Sequence, residues 1–148
     1  MSTTNYISPF ARPLYVMLKP IGAVCNLRCK YCYYLEKKDL YPEAKNFVMS
    51  DELLEKFIEQ YLNSQTMQQV LFTWHGGETL MHNKSFYVKA LELQKKYGRG
   101  RQIDNVIQTN GTLLTDDWCR FCKDNNFLVG VAIDGPQHCH DVYRKTRD

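Results

Sequence analysis

Apolar positions along the chain follow two periodicities in turn, which predicts strands separated by helices. Four short apolar runs are typical of buried strands: residues 14–18, 70–74, 106–107 and 127–133. Apolar residues at helical spacing follow Ser50, Asn83 and Thr115, each of which is a residue type that caps helix N-termini. The apolar face of the first of these helices is predicted to comprise Leu53, Leu54, Phe57, Ile58, Tyr61 and Leu62.

The predicted order of strand, helix, strand, helix, strand, helix, strand is that of a parallel α/β sheet with right-handed crossovers. Ligands of such sheets bind at the carboxyl ends of the strands. In this chain those ends carry Gly, Cys, Asn or Asp residues, so the residues that could bind a ligand or a metal are expected along one edge of the sheet. Residues 33–46 are predicted as a short helix and a loop, whereas residues 137–148 are polar and carry no predicted element.

Length, charge and hydropathy exclude several classes of protein. A chain of 148 residues corresponds to one domain, and its net charge of +3 comes from interspersed signs, so no nucleic-acid partner is expected. No apolar run approaches the ~20 residues of a membrane span, and residues 1–13 lack a secretory pattern. We therefore expect a cytoplasmic protein without a membrane partner. In that compartment six cysteines favour metal binding or redox chemistry over disulfides.

The strongest chemical motif is CNLRCKYC, which places Cys25, Cys29 and Cys32 within eight residues. Three local thiolates suit an iron–sulfur cluster, and in a four-iron cluster they would leave one iron open to a substrate or cofactor. The neighbouring cations Arg28 and Lys30 are expected to lower the pKa of these thiols. The spacing alone leaves two alternatives open, namely a zinc site that borrows a fourth ligand and three unrelated buried cysteines.

Weaker motifs follow the other strands. Gly76 and Gly77 let the backbone approach a ligand closely, and Glu78 can neutralise a cation, although the two glycines by themselves favour a strand-terminating turn. Asn110-Gly111 and Asp134-Gly135 are common turn dipeptides. Their interest lies only in their position, because they should share an edge with the cysteines.

The remaining cysteine and histidine motifs favour structural interpretations. Cys119 and Cys122 lie in a predicted helix and are interpreted as core cysteines. His138-Cys139-His140 is interpreted as an accidental cluster, because no second ligand pair stands at zinc-finger spacing. His75 by itself is interpreted as a structural histidine.

The CNLRCKYC motif resembles the C-x-x-x-C-x-aromatic-C motif of the radical S-adenosylmethionine (SAM) superfamily. Three further segments, FTWHGGETL, IQTNGTLL and VGVAIDGP, resemble in this order the anaerobic sulfatase-maturating enzyme branch. The resemblance covers about residues 14–144 and implies a partial (β/α)6 radical SAM barrel with about four βα units present. Residues 1–13 are then an N-terminal lead-in, and residues 14–148 are the N-terminal portion of a radical SAM domain.

The resemblance also implies a site. Cys25, Cys29 and Cys32 would ligate a 4Fe–4S cluster, with SAM chelating the fourth iron. The implied SAM-site residues are Tyr31, Gly76, Gly77, Glu78, Asn110, Ala132 and Arg144. An electron from a flavodoxin or ferredoxin would cleave SAM to methionine and a 5′-deoxyadenosyl radical. In the sulfatase-maturating branch, that radical takes hydrogen from the β-carbon of a Cys or Ser in a sulfatase, giving formylglycine.

The chain departs from the family pattern in three ways. Thr79 replaces the proline of the family's GGEP segment, which should be tolerated because that proline is not a ligand. Ala132 stands where a serine is usual, so one hydrogen bond to SAM is expected to be missing. Family members continue into a C-terminal domain with auxiliary clusters and a catalytic base. We therefore assign no catalytic residue, and we expect a fragment that is poorly stable and inactive alone.

Two hypotheses of other classes compete with a radical SAM domain. One is a zinc-stabilised binding module that uses the same three cysteines and has no catalytic activity. The other is a remnant that has neither a metal nor an activity.

Overall fold

Within residues 13–41, 43 and 47–147, which a computed structural model describes, four strands alternate with four α-helices. The strands are β1 (Val16–Leu18), β2 (Gln69–Trp74), β3 (Gln102–Thr109) and β4 (Phe127–Val131). The α-helices are α1 (Asp51–Ser64), α2 (Lys84–Tyr97), α3 (Asp116–Asp124) and α4 (Gln137–Tyr143). Two 3-10 helices, Leu35–Leu40 and Thr79–Met81, lie in the connections after β1 and β2. None of the helices described is long and apolar enough to span a membrane.

The four strands form one parallel sheet in the order β1-β2-β3-β4. Each strand lies beside its predecessor, which is the winding of a barrel wall and not that of a doubly wound sheet. Leu18 at the end of β1 pairs with Trp74 at the end of β2, and Trp74 pairs with Ile107 near the end of β3. The carboxyl ends therefore share one edge, and the predicted partial barrel with four βα units is confirmed.

The core lies on one face of this sheet. Val70, Phe72 and Trp74 of β2 are all buried there against α1 and α2. On the opposite face, four paired residues lie side by side across the four strands: Met17, Thr73, Val106 and Leu128. Met17 is 53% exposed and Leu128 is 68% exposed. The described helices thus cover one face and leave the other open, as in the wall of a barrel.

Local capping explains where the predicted helices begin. The Ser50 hydroxyl accepts a hydrogen bond from the Leu53 amide at 3.2 Å, and Thr115 accepts one from the Trp118 amide at 3.3 Å. Asn83 precedes α2 as predicted, but its side chain makes no capping hydrogen bond. The placement of Leu53 on the apolar face was wrong, because this residue is 53% exposed. The buried face of α1 is centred on Leu54 and Ile58 instead.

Element boundaries differ where tertiary contacts override the sequence pattern. β3 begins at Gln102, several residues before the predicted run, because Asn105 is accommodated in the core by hydrogen bonds with Trp74 and Gln94. The α4 helix was not predicted, since none of its residues is buried and its pattern is polar. Residues 1–12, 42, 44–46 and 148 lie outside the described part, so the division between residues 13 and 14 stays a prediction.

Candidate functional site

The segment that carries the three cysteines leaves β1 at the carboxyl edge of the sheet. Its backbone is bound to the segment that follows α4. The Arg28 amide donates to the Lys145 carbonyl at 2.7 Å, and the Lys30 amide donates to the Tyr143 carbonyl at 2.8 Å. An antiparallel bridge between Leu27 and Thr146 continues this pairing. We call residues 25–32 the cysteine loop, and its conformation depends on a segment more than a hundred residues away in the sequence.

The thiols of Cys25, Cys29 and Cys32 are partly buried and free of disulfides. Burial raises the pKa of Cys25 and of Cys29. The cation that opposes this effect at Cys29 is Arg144. The prediction that Arg28 and Lys30 lower the thiol pKa was wrong, because both side chains are exposed and desolvation of the thiols dominates. Cys25 and Cys29 are therefore neutral at pH 7, and metal binding would release their protons.

The spacing of the three thiols bears on which metal they fit. They are close enough that the charge of Cys32 raises the pKa of both Cys25 and Cys29. Yet no three His, Cys, Asp or Glu side chains among the described residues stand as ligands of a single ion. A zinc site needs its sulfurs at about 2.3 Å from one atom, whereas each iron of a cluster takes its own thiolate. Three thiolates on one loop therefore suit separate irons of a cluster, whereas a zinc ion would need them, with a fourth ligand, around one atom.

The glycine turn after β2 lies against Val24, immediately before the cysteine loop. A Cβ on Gly77 would lie 1.9 Å from the carbonyl oxygen of Val24, and the backbone of Gly77 has a φ of +54°. The next amide, that of Glu78, donates to the same carbonyl at 2.8 Å. Only glycine fits this contact, which fixes the residue immediately before Cys25.

The Glu78 side chain is 1% exposed and joins the ends of β2 and β3. One oxygen accepts hydrogen bonds from the Leu80 amide at 3.0 Å and from the Thr109 hydroxyl at 2.6 Å. The other oxygen accepts from the Asn110 amide at 2.7 Å. These bonds satisfy a buried carboxylate without a cation, so Glu78 supports the edge of the sheet from within.

The end of β3 contacts the cysteine loop through Asn110. The Asn110 side-chain amide donates to the Asn26 side chain at 2.9 Å and contacts the Cys25 sulfur at 3.8 Å. Beside it, the Ala132 amide donates to the Thr109 carbonyl at 2.9 Å. The methyl side chain of Ala132 offers no hydrogen bond at this edge.

The loop after β4 contacts the cysteine loop through Asp134. The Tyr31 hydroxyl donates to Asp134 Oδ2 at 2.6 Å. The Arg144 Nε and Nη2 donate to the two oxygens of the same carboxylate at 2.8 and 2.9 Å. The hydrogen bonds from Arg144 and Tyr31 lower the pKa of Asp134 to about 2. Partial burial of the Tyr31 hydroxyl and its bond to Asp134 raise the pKa of Tyr31 to about 12.

The structure brings Tyr31, Asn110 and Arg144 together at the cysteine loop. Gly77 and Glu78 contact Val24 just before the loop, and Ala132 contacts Thr109 beside it. The sequence predicted the position of Asp134, as part of a turn dipeptide at this edge, but not its contacts with Tyr31 and Arg144. It also missed the backbone pairing of the loop with residues 143–146, for which the polar sequence offers no cue.

Among the other histidines and cysteines, His140 contacts the loop after β4, because its Nδ1 accepts a hydrogen bond from the Asp134 amide at 3.4 Å. The His75 Nδ1 accepts a hydrogen bond from the Gly76 amide at 2.6 Å, and burial lowers the pKa of His75. Cys122 is buried as predicted for a core cysteine, whereas Cys119 is exposed and that prediction was wrong for it. His138 and Cys139 are exposed.

A basic hollow of about 830 Å³ opens beside Cys29 and Cys32. Its charged lining comprises the cations Arg28, Lys30, Lys38, Lys145 and Arg147 and the acids Glu36 and Asp39. Positive side chains thus outnumber negative ones in a hollow that Cys29 and Cys32 also line. Such a concentration of charge attracts anionic groups and acidic protein surfaces.

Fold and site together define an α/β protein with a candidate metal centre at the carboxyl edge of a barrel-type sheet. The model of the Radical SAM superfamily matches residues 20–148, and the chain belongs to that superfamily.

Named relatives come from the sulfatase-maturating branch. The serine-type anaerobic sulfatase-maturating enzyme of Bacteroides thetaiotaomicron is 72% identical over 147 residues, which cover 99% of this chain and 35% of the relative. The cysteine-type enzyme of Clostridium perfringens is 37% identical over 134 residues, which cover 90% of this chain and 36% of the relative. The chain thus spans about a third of the length of these relatives.

Solved structures are similar in fold as well as sequence. Native anSMEcpe with bound AdoMet superposes with a TM-score of 0.78 at 37% identity, over 88% of this chain and 35% of that chain. Native anSMEcpe with bound AdoMet and the Cp18Cys peptide gives a TM-score of 0.76 at 36% identity, over 88% of this chain and 34% of that chain. The predicted resemblance to the radical SAM superfamily and its sulfatase-maturating branch is confirmed.

Proposed function

We propose that this chain is the cluster-binding and SAM-binding part of an enzyme that oxidises a Cys or Ser of a sulfatase to formylglycine. The observation that carries the proposal is the cysteine loop itself. Residues from the ends of β3 and β4 contact the loop, and the turn after β2 contacts Val24, the residue that immediately precedes it. A loop held from three sides offers a preformed site for a cofactor that touches the metal.

In this proposal Cys25, Cys29 and Cys32 hold a 4Fe–4S cluster. When bound, the cluster supplies one electron and SAM supplies the 5′-deoxyadenosyl radical that removes hydrogen from the substrate. The chain itself presents the three thiolates. Its backbone there is held by hydrogen bonds of the Val24 carbonyl and of the Arg28 and Lys30 amides. Burial of Cys25 and Cys29 also limits access of water to the sulfur atoms.

SAM would lie among the side chains and backbone groups that meet above the loop. Tyr31 and Arg144 present an aromatic face and a guanidinium group, held 5.7 Å apart by their common partner Asp134. The backbone of Gly76 and Gly77 would receive the amino group of SAM. Glu78 and Asn110 would hold that backbone and the first cysteine in place.

The substrate class rests on similarity to the relatives. Identity is 72% to a serine-type enzyme and 37% to a cysteine-type enzyme, which favours a serine-containing sulfatase. The solved structure that contains the Cp18Cys peptide supports a peptide segment as the substrate.

The electron would come from a flavodoxin or a ferredoxin. The basic hollow beside Cys29 and Cys32 supports a negatively charged carrier, because cations outnumber acids in its lining.

Anaerobic reconstitution with iron and sulfide tests this function directly. Electron paramagnetic resonance of the dithionite-reduced protein is expected to show a cubane signal that changes when SAM is added. Reduction by a flavodoxin or ferredoxin in a second arm should slow at high salt, because salt screens exposed charges beyond about 10 Å at 0.1 M. Absence of a cluster, or a cluster signal indifferent to SAM, would overturn the proposal.

The Ala132→Ser substitution is expected to tighten SAM binding about two- to tenfold, the worth of one hydrogen bond. The added hydroxyl lies at the end of β4, next to the amide that bonds to Thr109. Equilibrium dialysis of the reconstituted protein measures the dissociation constant. Ala132→Val adds bulk without a hydroxyl and serves as the control. An unchanged constant in Ala132→Ser would contradict the expectation.

A further inference from the structure

The carboxylate of Asp134 connects three parts of the chain that are distant in sequence. It lies after β4, and it binds Tyr31 in the cysteine loop and Arg144 at the end of α4. The Arg144 side chain is 11% exposed and the Asp134 side chain is 27% exposed, so this ion pair is partly shielded from water. Shielded, bidentate pairs hold their geometry better than ion pairs on the open surface.

The same contacts continue into the backbone of the cysteine loop. Tyr143 and Lys145, on either side of Arg144, accept hydrogen bonds from the amides of Lys30 and Arg28. The Tyr31 and Tyr143 rings also lie 6.1 Å apart. The Asp134 carboxylate therefore fixes the Tyr31 side chain. It also fixes Arg144, which lies between the two residues whose carbonyls accept these hydrogen bonds.

We infer that Asp134 is a positioning residue, which holds Tyr31 and Arg144 in place so that the SAM site is formed before SAM binds. This inference rests on the proposed function, because Tyr31 and Arg144 are the residues assigned there to SAM. Asp134 itself acts through these two side chains.

The chemistry of the contact requires a carboxylate. Three donors converge on Asp134, and its two anionic oxygens can accept all of them. An asparagine keeps the size of the side chain but replaces one acceptor by an NH₂ donor. Because Arg144 donates to both oxygens, that donor would face the guanidinium in either orientation of the amide, and the charge that holds Arg144 would be lost.

The experiment compares Asp134→Asn with Asp141→Asn, a matched control that removes the same charge from an exposed position on α4. The Asp134→Asn variant is expected to bind SAM about ten- to a hundredfold more weakly, the range seen when supporting partners of site residues are removed. Its iron content and its cluster signal without SAM should stay at the wild-type level. Asp141→Asn should match the wild type in all three measurements.

A double-mutant cycle separates positioning from general loss of stability. If Asp134 acts through Tyr31, the Tyr31→Phe substitution should weaken SAM binding less in the Asp134→Asn background than in the wild type. Additive effects of the two substitutions would overturn the inference. A SAM dissociation constant of Asp134→Asn equal to that of Asp141→Asn would overturn it as well.

Hydrogen exchange in the cluster-free protein tests the positioning role of Asp134 in the absence of any cofactor. The amides of Arg28 and Lys30 should exchange faster in Asp134→Asn than in Asp141→Asn, because the segment that accepts their bonds is released. Equal exchange in the two variants would overturn the inference even if the wild type binds SAM. Faster exchange in a protein that takes up no cluster would support the positioning role while the proposed function fails.

Discussion

Replacement of Cys29 by alanine is expected to reduce the iron content of the reconstituted protein to that of an iron-free control. The substitution leaves a second iron of a four-iron cluster without a protein ligand, and two thiolates hold such a cluster weakly. The cubane signal and its response to SAM should disappear together. Iron analysis and electron paramagnetic resonance on the anaerobically reconstituted variant measure both effects.

The chain supplies a matched control for the loss of one thiol. Cys119 is exposed on α3 and belongs to none of the contacts of the cysteine loop, so Cys119→Ala should retain the iron and the signal of the wild type. Retention of the cluster in Cys29→Ala would contradict the assignment of the three ligands. Equal losses in both variants would point instead to general sensitivity to cysteine removal.

A colourless reconstituted protein that binds zinc at one equivalent would favour the zinc-stabilised module. A zinc ion needs its sulfurs at about 2.3 Å from one atom, so zinc would have to draw the three thiols together by a rearrangement of the cysteine loop. The backbone bonds of Arg28 and Lys30 oppose such a rearrangement.

The fold was predictable from the sequence because local and tertiary preferences agree. Alternating apolar runs and capping residues predicted four parallel strands and three of the helices. The pattern of apolar positions did not predict the structure correctly where a polar residue is buried or where an element is wholly exposed. Asn105 is the first case, since Trp74 and Gln94 satisfy its side chain inside the core. The α4 helix is the second case, since it contributes no residue to the core.

The site was predictable in part. Spacing marked the three cysteines, and the order of the strands placed the other motifs at the same edge. Spacing could not show how the side chains are joined, because Tyr31 and Asp134 are 103 residues apart in sequence. It also could not show that burial outweighs the nearby cations at Cys25 and Cys29, because desolvation depends on the folded surroundings.

Replacement of Gly77 by alanine is expected to destabilise the protein by about 3 kcal/mol or more, because the new methyl group overlaps a backbone oxygen. The Cβ would lie 1.9 Å from the Val24 carbonyl oxygen and 2.8 Å from that of Gly22. Neither oxygen can rotate away as a side chain could. Either the turn after β2 or the chain leading to Cys25 must therefore move. Urea unfolding, followed by far-UV circular dichroism, measures the loss of stability.

A Gly100→Ala control measures the free-energy cost of the backbone conformation without any steric overlap. The φ of Gly100 is +77°, and a Cβ there would meet no atom within 4 Å. Gly100→Ala should therefore cost about 1 kcal/mol, the penalty for an L-residue in the left-handed region. Gly76→Ala, with a φ of +77° and Lys19 side-chain atoms from 2.4 Å away, should fall between the two. Equal losses for all three variants would show that backbone conformation alone, and not contact with the cysteine loop, requires glycine at residue 77.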